Sequence, residues 1–138
     1  MTNIDRDSLI TAAKLAAANA MPIKSNFHVG AAIRVEAREQ GVASHIVVAG
    51  NIEYNGHPAT HAEVAALAKL FAGGFRAHDV KAIAVWCDSG PHLPCACCQQ
   101  ALCSHFSDDV VILAASPEGQ KEATLGELTV HAYKGRKR

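Results

Sequence analysis

An excess of charge of either sign is missing from this chain. Its 138 residues carry 13 lysines and arginines against 13 aspartates and glutamates, and its isoelectric point is about 7.1. A neutral chain offers no general field to phosphate backbones or acidic membranes, so a long polynucleotide is not an expected partner. Long apolar runs are missing too. None approaches the ~18 residues of a membrane span, so no membrane association is expected. Met1 to Asp7 holds two aspartates and no basic cluster ahead of an apolar stretch. That is not a secretory signal peptide, and a cytoplasmic location is the expectation. Repeats, low-complexity tracts and linkers are absent, which leaves one domain over residues 1–138. Hydrophobic residues make up 49% and charged residues 19%, a globular composition.

What the chain does have is five cysteines, Cys87, Cys95, Cys97, Cys98 and Cys103. An odd number in so short a stretch, without a signal peptide, does not read as a disulfide framework. Metal binding or thiol chemistry is the alternative, weighed against burial of cysteine as a small hydrophobe.

Residues 5–21 show apolar positions at three- and four-residue steps and read as a helix that Pro22 ends. Two strands follow, 29–35 and 44–49, joined by a polar turn around 39–41. Residues 51–58 form a loop. Thr60 with Glu63 has capping-box spacing, so a helix is expected from 60 to about 71, ended by Gly73 and Gly74. The run 81–87 reads as a buried strand and 95–106 as a helix. The stretch 110–115 reads as a strand, followed by turn residues 116–119, a short last strand and a short element over 125–133. The tail from Lys134 to Arg138 reads as a solvated basic end. Helix, two strands, helix, strand, helix and two strands make a sheet covered by helices. The link between the last two strands is far shorter than the dozen or so residues of a parallel crossover, so these two are antiparallel.

Two segments carry chemistry, Thr60-His61-Ala62-Glu63 and Pro94-Cys95-Ala96-Cys97-Cys98. Cys95 and Cys98 share a helix face at three-residue spacing and fall in the expected first turn, where the helix dipole favours thiolate. His61 falls in the first turn of the preceding helix, so the two helix starts can converge at one sheet edge. Two thiols and one imidazole suit Zn2+. Three protein ligands leave a fourth position for water, whereas structural zinc sites close with four. Glu63 points to another side of the helix from His61 and is placed to shuttle protons rather than to ligate. A structural zinc site closed by Cys97 or Cys103 is one alternative, and a redox pair of Cys95 and Cys98 is another. Cys87 and Cys103 read as buried thiols. His57 and His92 lie in loops flanking the proposed site, while His28, His45, His78, His105 and His131 read as ordinary surface or core residues.

H-x-E followed by P-C-x-x-C is the established signature of zinc-dependent nucleobase deaminases. The chain as a whole resembles the cytidine deaminase family, in its small, homotetrameric type. Ser25 to Ala32 resembles that family's S-x-F-x-V-G-A-A strand, Gly50 to Glu53 its G-x-N-x-E segment, and Thr124 to Leu128 its T-L-x-E-L. The resemblance implies an α/β fold, three layers in the order α/β/α, with a mixed five-stranded sheet whose last two strands are antiparallel. It implies His61, Cys95 and Cys98 as zinc ligands and Glu63 as the catalytic proton shuttle. It places Asn51 and Glu53 on the ribose hydroxyls and Phe27 against the base or sugar. The implied substrate is a small nucleoside, cytidine or deoxycytidine, and the implied partner is a further copy of the chain, in a tetramer whose subunits complete one another's pockets.

The chain departs from that pattern at His61, where many small members have cysteine, and at Val64 and Gln99, where they have arginine. Two thiolates and a neutral imidazole leave zinc with no net charge, so the arginines are less needed. Lys24 and Thr129-Val130 also depart, and the loop from Asn51 to His61 is one residue short. Two relatives share parts of the pattern. The tRNA-adenosine and guanine deaminase group has H-A-E and P-C-x-x-C but parallel last strands. Blasticidin-S deaminase resembles Val29 to Arg34 about as well and stands as the alternative reading, with a structural zinc-binding module as the alternative outside enzymes.

Overall fold

A computed structural model describes residues 1–37 and 41–135 of the chain. The expected turn around 39–41 lies largely outside these residues, as does the end of the basic tail. Helix α1, Asn3–Ala18, starts earlier than its apolar pattern. Thr2 caps it, its hydroxyl accepting the Asp5 N–H while the Asp5 carboxylate accepts the Thr2 N–H, each at 3.1 Å. Strands β1, Val29–Ala37, and β2, Val42–Gly50, form an antiparallel pair. Helix α2, Ala62–Ala72, leads through a short 3-10 turn to strand β3, Val80–Cys87. Helix α3, Ala96–Cys103, precedes strands β4, Val111–Ser116, and β5, Gly119–Thr124. A four-residue helix α4, Leu125–Leu128, is the only regular part of the expected last element among the described residues.

The five strands form one sheet in the order β2-β1-β3-β4-β5. Strands β3 and β4 are parallel, joined across α3, while β4 and β5 are antiparallel, with Ser116 paired to Gly119. Side chains alternate along each strand and so feed two layers. Ala32, Ala82, Ala84, Trp86 and Leu113 pack against Leu9, Ala13 and Ala17 of α1. Ala31, Ile33, Val35, Ile83 and Ile112 pack against Ala66, Leu67 and Leu70 of α2 and Leu102 of α3. The result is the three-layer α/β/α arrangement, with α2 and α3 on one face and α1 on the other.

The approach of α1 to the sheet is close enough to explain two glycines. A Cβ on Gly30 would lie 1.9 Å from the Ala13 carbonyl oxygen and 2.4 Å from the Ala17 nitrogen. One on Gly50 would lie 2.8 Å from the Ala16 carbonyl oxygen. The alanines of α1 permit the contact from the other side. Val29 is paired with Cys87, so the start of β1 meets the end of β3. Among the described residues, no helix is long and apolar enough to cross a membrane.

Candidate zinc and substrate site

Helix α2 begins one residue later than its capping pattern predicts. Thr60 exchanges backbone hydrogen bonds with Ile52 at 2.8 and 2.9 Å, and its hydroxyl lies 2.9 Å from the Tyr54 hydroxyl. That bridge holds Thr60 extended, and the N-cap passes to His61, whose side chain makes no capping bond. The imidazole is therefore left to the site. Helix α3 shows the same displacement. Cys95 is its N-cap rather than its first helical residue, and the helix ends at Cys103 instead of running to Phe106. Cys98 lies in the first turn and is fully buried.

These two helix starts bring three donors together. His61 Nδ1 lies 3.3 Å from Cys98 Sγ and 3.4 Å from Cys95 Sγ. The three donor atoms all fall within 4.8 Å of one another. Zinc–sulfur and zinc–nitrogen bonds of about 2.3 and 2.05 Å at a tetrahedral angle put N and S about 3.6 Å apart. The observed separations sit within a few tenths of an ångström of that value, so the donor set fits Zn2+ with small adjustment. Among the described residues no fourth histidine, cysteine or carboxylate joins the group. Cys97 is exposed and outside it, and Cys103 is buried with its thiol donating to the Gln100 carbonyl at 3.5 Å. The closed four-ligand alternative thus has no fourth ligand in place.

Glu63 stands in the first turn of α2 and is 5% exposed. Burial pushes its carboxyl above the ordinary carboxylate range, against the opposing pull of its own backbone N–H, His61 and the Cys98 thiol. Burial also pushes the Cys98 thiol up, with Glu63 and Cys95 adding to the rise. The expected thiolate-favouring effect of the helix start is thus outweighed at Cys98 in the metal-free chain. A bound cation reverses the balance, because a coordinating thiol gives up its proton.

His61, Glu63 and Cys95 line a cavity of about 400 Å³, which Phe27, Asn51 and Glu53 line as well. The Asn51 amide is tied into the backbone: its Oδ1 accepts the Val29 N–H and its Nδ2 donates to the Phe27 carbonyl, both at 2.9 Å. Glu53 accepts the Lys24 and Ser25 N–H groups at 2.7 and 2.8 Å on a single oxygen, Oε1. The Ser25 hydroxyl and N–H, with the Lys24 N–H, hold the Glu53 carboxyl below its usual range.

A family model of the cytidine and deoxycytidylate deaminase zinc-binding region matches residues 4–114. The chain belongs to the cytidine deaminase family. Solved structures agree. The cytidine deaminase from Burkholderia pseudomallei superposes with a TM-score of 0.84 at 28% identity, over 96% of this chain and 100% of that one. The cytidine deaminase from Mycobacterium tuberculosis gives 0.72 at 26% identity, over 94% and 97%. That from Mycobacterium leprae gives 0.67 at 25% identity, over 93% and 98%. A search among curated protein sequences finds no match. With its His61, Cys95 and Cys98 cluster, the chain is a zinc-dependent deaminase.

The deaminase uses wall residues that the motifs alone leave out. Val85, Cys87 and Leu93 line the cavity. Cys87 is buried as expected but also faces the site, its thiol donating to the Ser89 carbonyl at 2.8 Å. Its place at the carboxyl end of a central strand was the available signal, since open α/β sheets bind ligands there. Of the two flanking histidines, His92 lines the cavity, whereas His57 packs edge-on against Tyr54 at 5.1 Å and does not.

Proposed function

We propose that the deaminase converts a free cytosine nucleoside, cytidine or deoxycytidine, to the uracil nucleoside and ammonia. The observation that carries this reading is one cavity that joins the His61, Cys95 and Glu63 side chains to Phe27, Asn51 and Glu53. A cavity of that size suits one small ligand. None of the described residues lining it is a lysine or arginine, and two are glutamates. That lining offers a 5′-phosphate no lysine or arginine and sets two carboxylates beside it, which disfavours a nucleotide. In this reading His61, Cys95 and Cys98 hold zinc, and Glu53 and Asn51 meet the sugar hydroxyls. Phe27 packs against the base or sugar.

Zinc bound at these residues supplies the Lewis acidity that makes water a nucleophile near neutral pH. Glu63 takes the proton of the attacking water and delivers it to ring N3. The C4–O bond forms, Glu63 then carries the second proton from the C4 hydroxyl to the amino group, and the C4–N bond breaks, leaving a C4 carbonyl and releasing ammonia. Burial of Glu63 keeps bulk water from competing for those protons.

The blasticidin-S resemblance ended on Arg34, which pairs with Asp5 and Glu36 at 2.9 and 3.2 Å and does not line the cavity. The homotetramer remains part of the proposal. Met21, Ile23 and Phe27 are exposed at 60%, 58% and 42%, an apolar cluster on the loop that runs into the cavity wall. Ultraviolet assay of cytidine, deoxycytidine, cytosine, deoxycytidylate and blasticidin S tests the substrate. Turnover of the two nucleosides well above the others is expected. Preference for deoxycytidylate, cytosine or blasticidin S overturns the reading.

A further inference from the structure

Cys95 and Cys98 reach the zinc site by different routes. Cys98 lies inside α3 and is fully buried, so helix and core packing set its sulfur. Cys95 is exposed and sits at the junction of loop and helix, with extended backbone angles (φ −67°, ψ 168°) and no side-chain cap bond. Packing alone does not place it. The chain must fix its backbone in some other way, or its sulfur would wander from the other two donors.

One residue supplies that constraint. The Gln99 backbone N–H donates to the Cys95 carbonyl at 2.8 Å, the first bond of the helix. The Gln99 side chain reaches past it, and Nε2 donates to the Pro94 carbonyl, also at 2.8 Å. Those two carbonyls belong to the two peptide planes that flank the Cys95 Cα. With both planes held, the direction of the Cys95 Cα–Cβ bond is set, and only rotation about χ1 remains for the sulfur. Gln99 is half-buried and does not line the cavity, so it has no direct reach to a substrate there.

We propose that Gln99 is a positioning residue for the metal centre, holding Cys95 at ligand distance through the Pro94 carbonyl. The inference rests on the zinc-ligand reading of Cys95. It gives the amide at this position a mechanical task in place of the charge that arginine would bring. Partners that orient metal ligands are commonly worth 10–100-fold in affinity.

The test is zinc affinity, measured by competition with a chromophoric chelator on the full chain. Gln99→Met keeps the shape and removes the donor, and a loss of about 10–100-fold is expected. Gln99→Arg retains N–H donors, and wild-type affinity or better is expected. The metal-free Tm of both variants should match wild type. Wild-type affinity in Gln99→Met overturns the proposal. So does an equal loss in both variants, or a loss accompanied by a matching fall in the metal-free Tm, since a general structural role would do the same. Cys95→Ser separates the underlying reading. If Cys95→Ser binds zinc like wild type, Cys95 is not a ligand and the premise fails. If it loses zinc while Gln99→Met does not, only the role of Gln99 fails.

Discussion

Gly30→Ala sets two physical effects against each other. Glycine inside a strand costs about 0.5–1 kcal/mol relative to alanine through backbone entropy, so propensity alone predicts a more stable protein. The packing predicts the reverse. The added Cβ would stand 1.9 Å from the Ala13 carbonyl oxygen and 2.4 Å from the Ala17 nitrogen, where ordinary contact begins at 3.4 Å. Both atoms are backbone of α1, so no rotamer change relieves the clash. The helix must retreat by about 1.5 Å along that line, loosening the layer in which Leu9, Ala13 and Ala17 meet the sheet. Overpacking costs about 1–3 kcal/mol even where side chains can give way, so about 3 kcal/mol is the expected destabilisation here. For a chain of this length that lowers Tm by about 10 °C. Differential scanning calorimetry of the zinc-loaded protein reads the shift. Gly41→Ala is the control, a glycine at φ +76° with nothing within 4 Å of an added Cβ, where only the strain of about 1–2 kcal/mol applies. Zinc content per folded molecule should stay at wild type, because the ligands ride on α2 and α3 across the sheet. A Gly30→Ala protein as stable as wild type, or more so, would refute the account of how α1 meets the sheet.

Three further outcomes follow from the site. Glu63→Gln should keep zinc, as measured by metal analysis, while turnover falls by about 10²–10⁴-fold; an active variant would remove Glu63 from the chemistry. Cys98→Ser should lose zinc and activity together, and a fully loaded variant would show that the three-donor cluster is not the metal site. Glu53 gives a pH signature. Its carboxyl is held below the ordinary value of 4.5, so it adds stability above that pH and loses it as pH falls through the folded value. The Tm gap between wild type and Glu53→Gln should therefore be flat near neutrality and close on acidification. A gap that widens toward acid would contradict the hydrogen bonds from Ser25 and Lys24.

Periodicity and turn length carried much of this fold. The apolar steps of α1, the runs in β1 and β3, and the short link after β4 each report a local preference that packing leaves intact. The antiparallel last pair follows from chain length alone. The convergence of the three donors was legible for the same reason, since each sits at a helix start that the pattern already located. What sequence reading misplaced were the caps. Thr60 has the chemistry of an N-cap, but its backbone is engaged with Ile52, a partner eight residues earlier that no capping rule contains. Asn51, proposed to meet the sugar, also has a structural task. Its amide ties the carbonyl of Phe27 to the N–H of Val29 across more than twenty positions. At Thr60 a distant backbone partner claims a group whose local preference pointed elsewhere, whereas the early start of α1 is a local capping box.

The two halves of the metal cluster are far apart along the chain. His61 stands before α2 and Cys95 before α3, so a bond from each to one ion encloses the whole of α2 and β3 in a ring of roughly 35 residues. A cross-link of that span restricts the unfolded chain by about 4 kcal/mol in the loop-closure picture. An ion held there would be a clasp as well as a reagent. It would fasten the openings of two helices that also touch each other directly. A cell short of zinc would hold a protein that is both chemically idle and easier to unravel, and so more open to proteolysis.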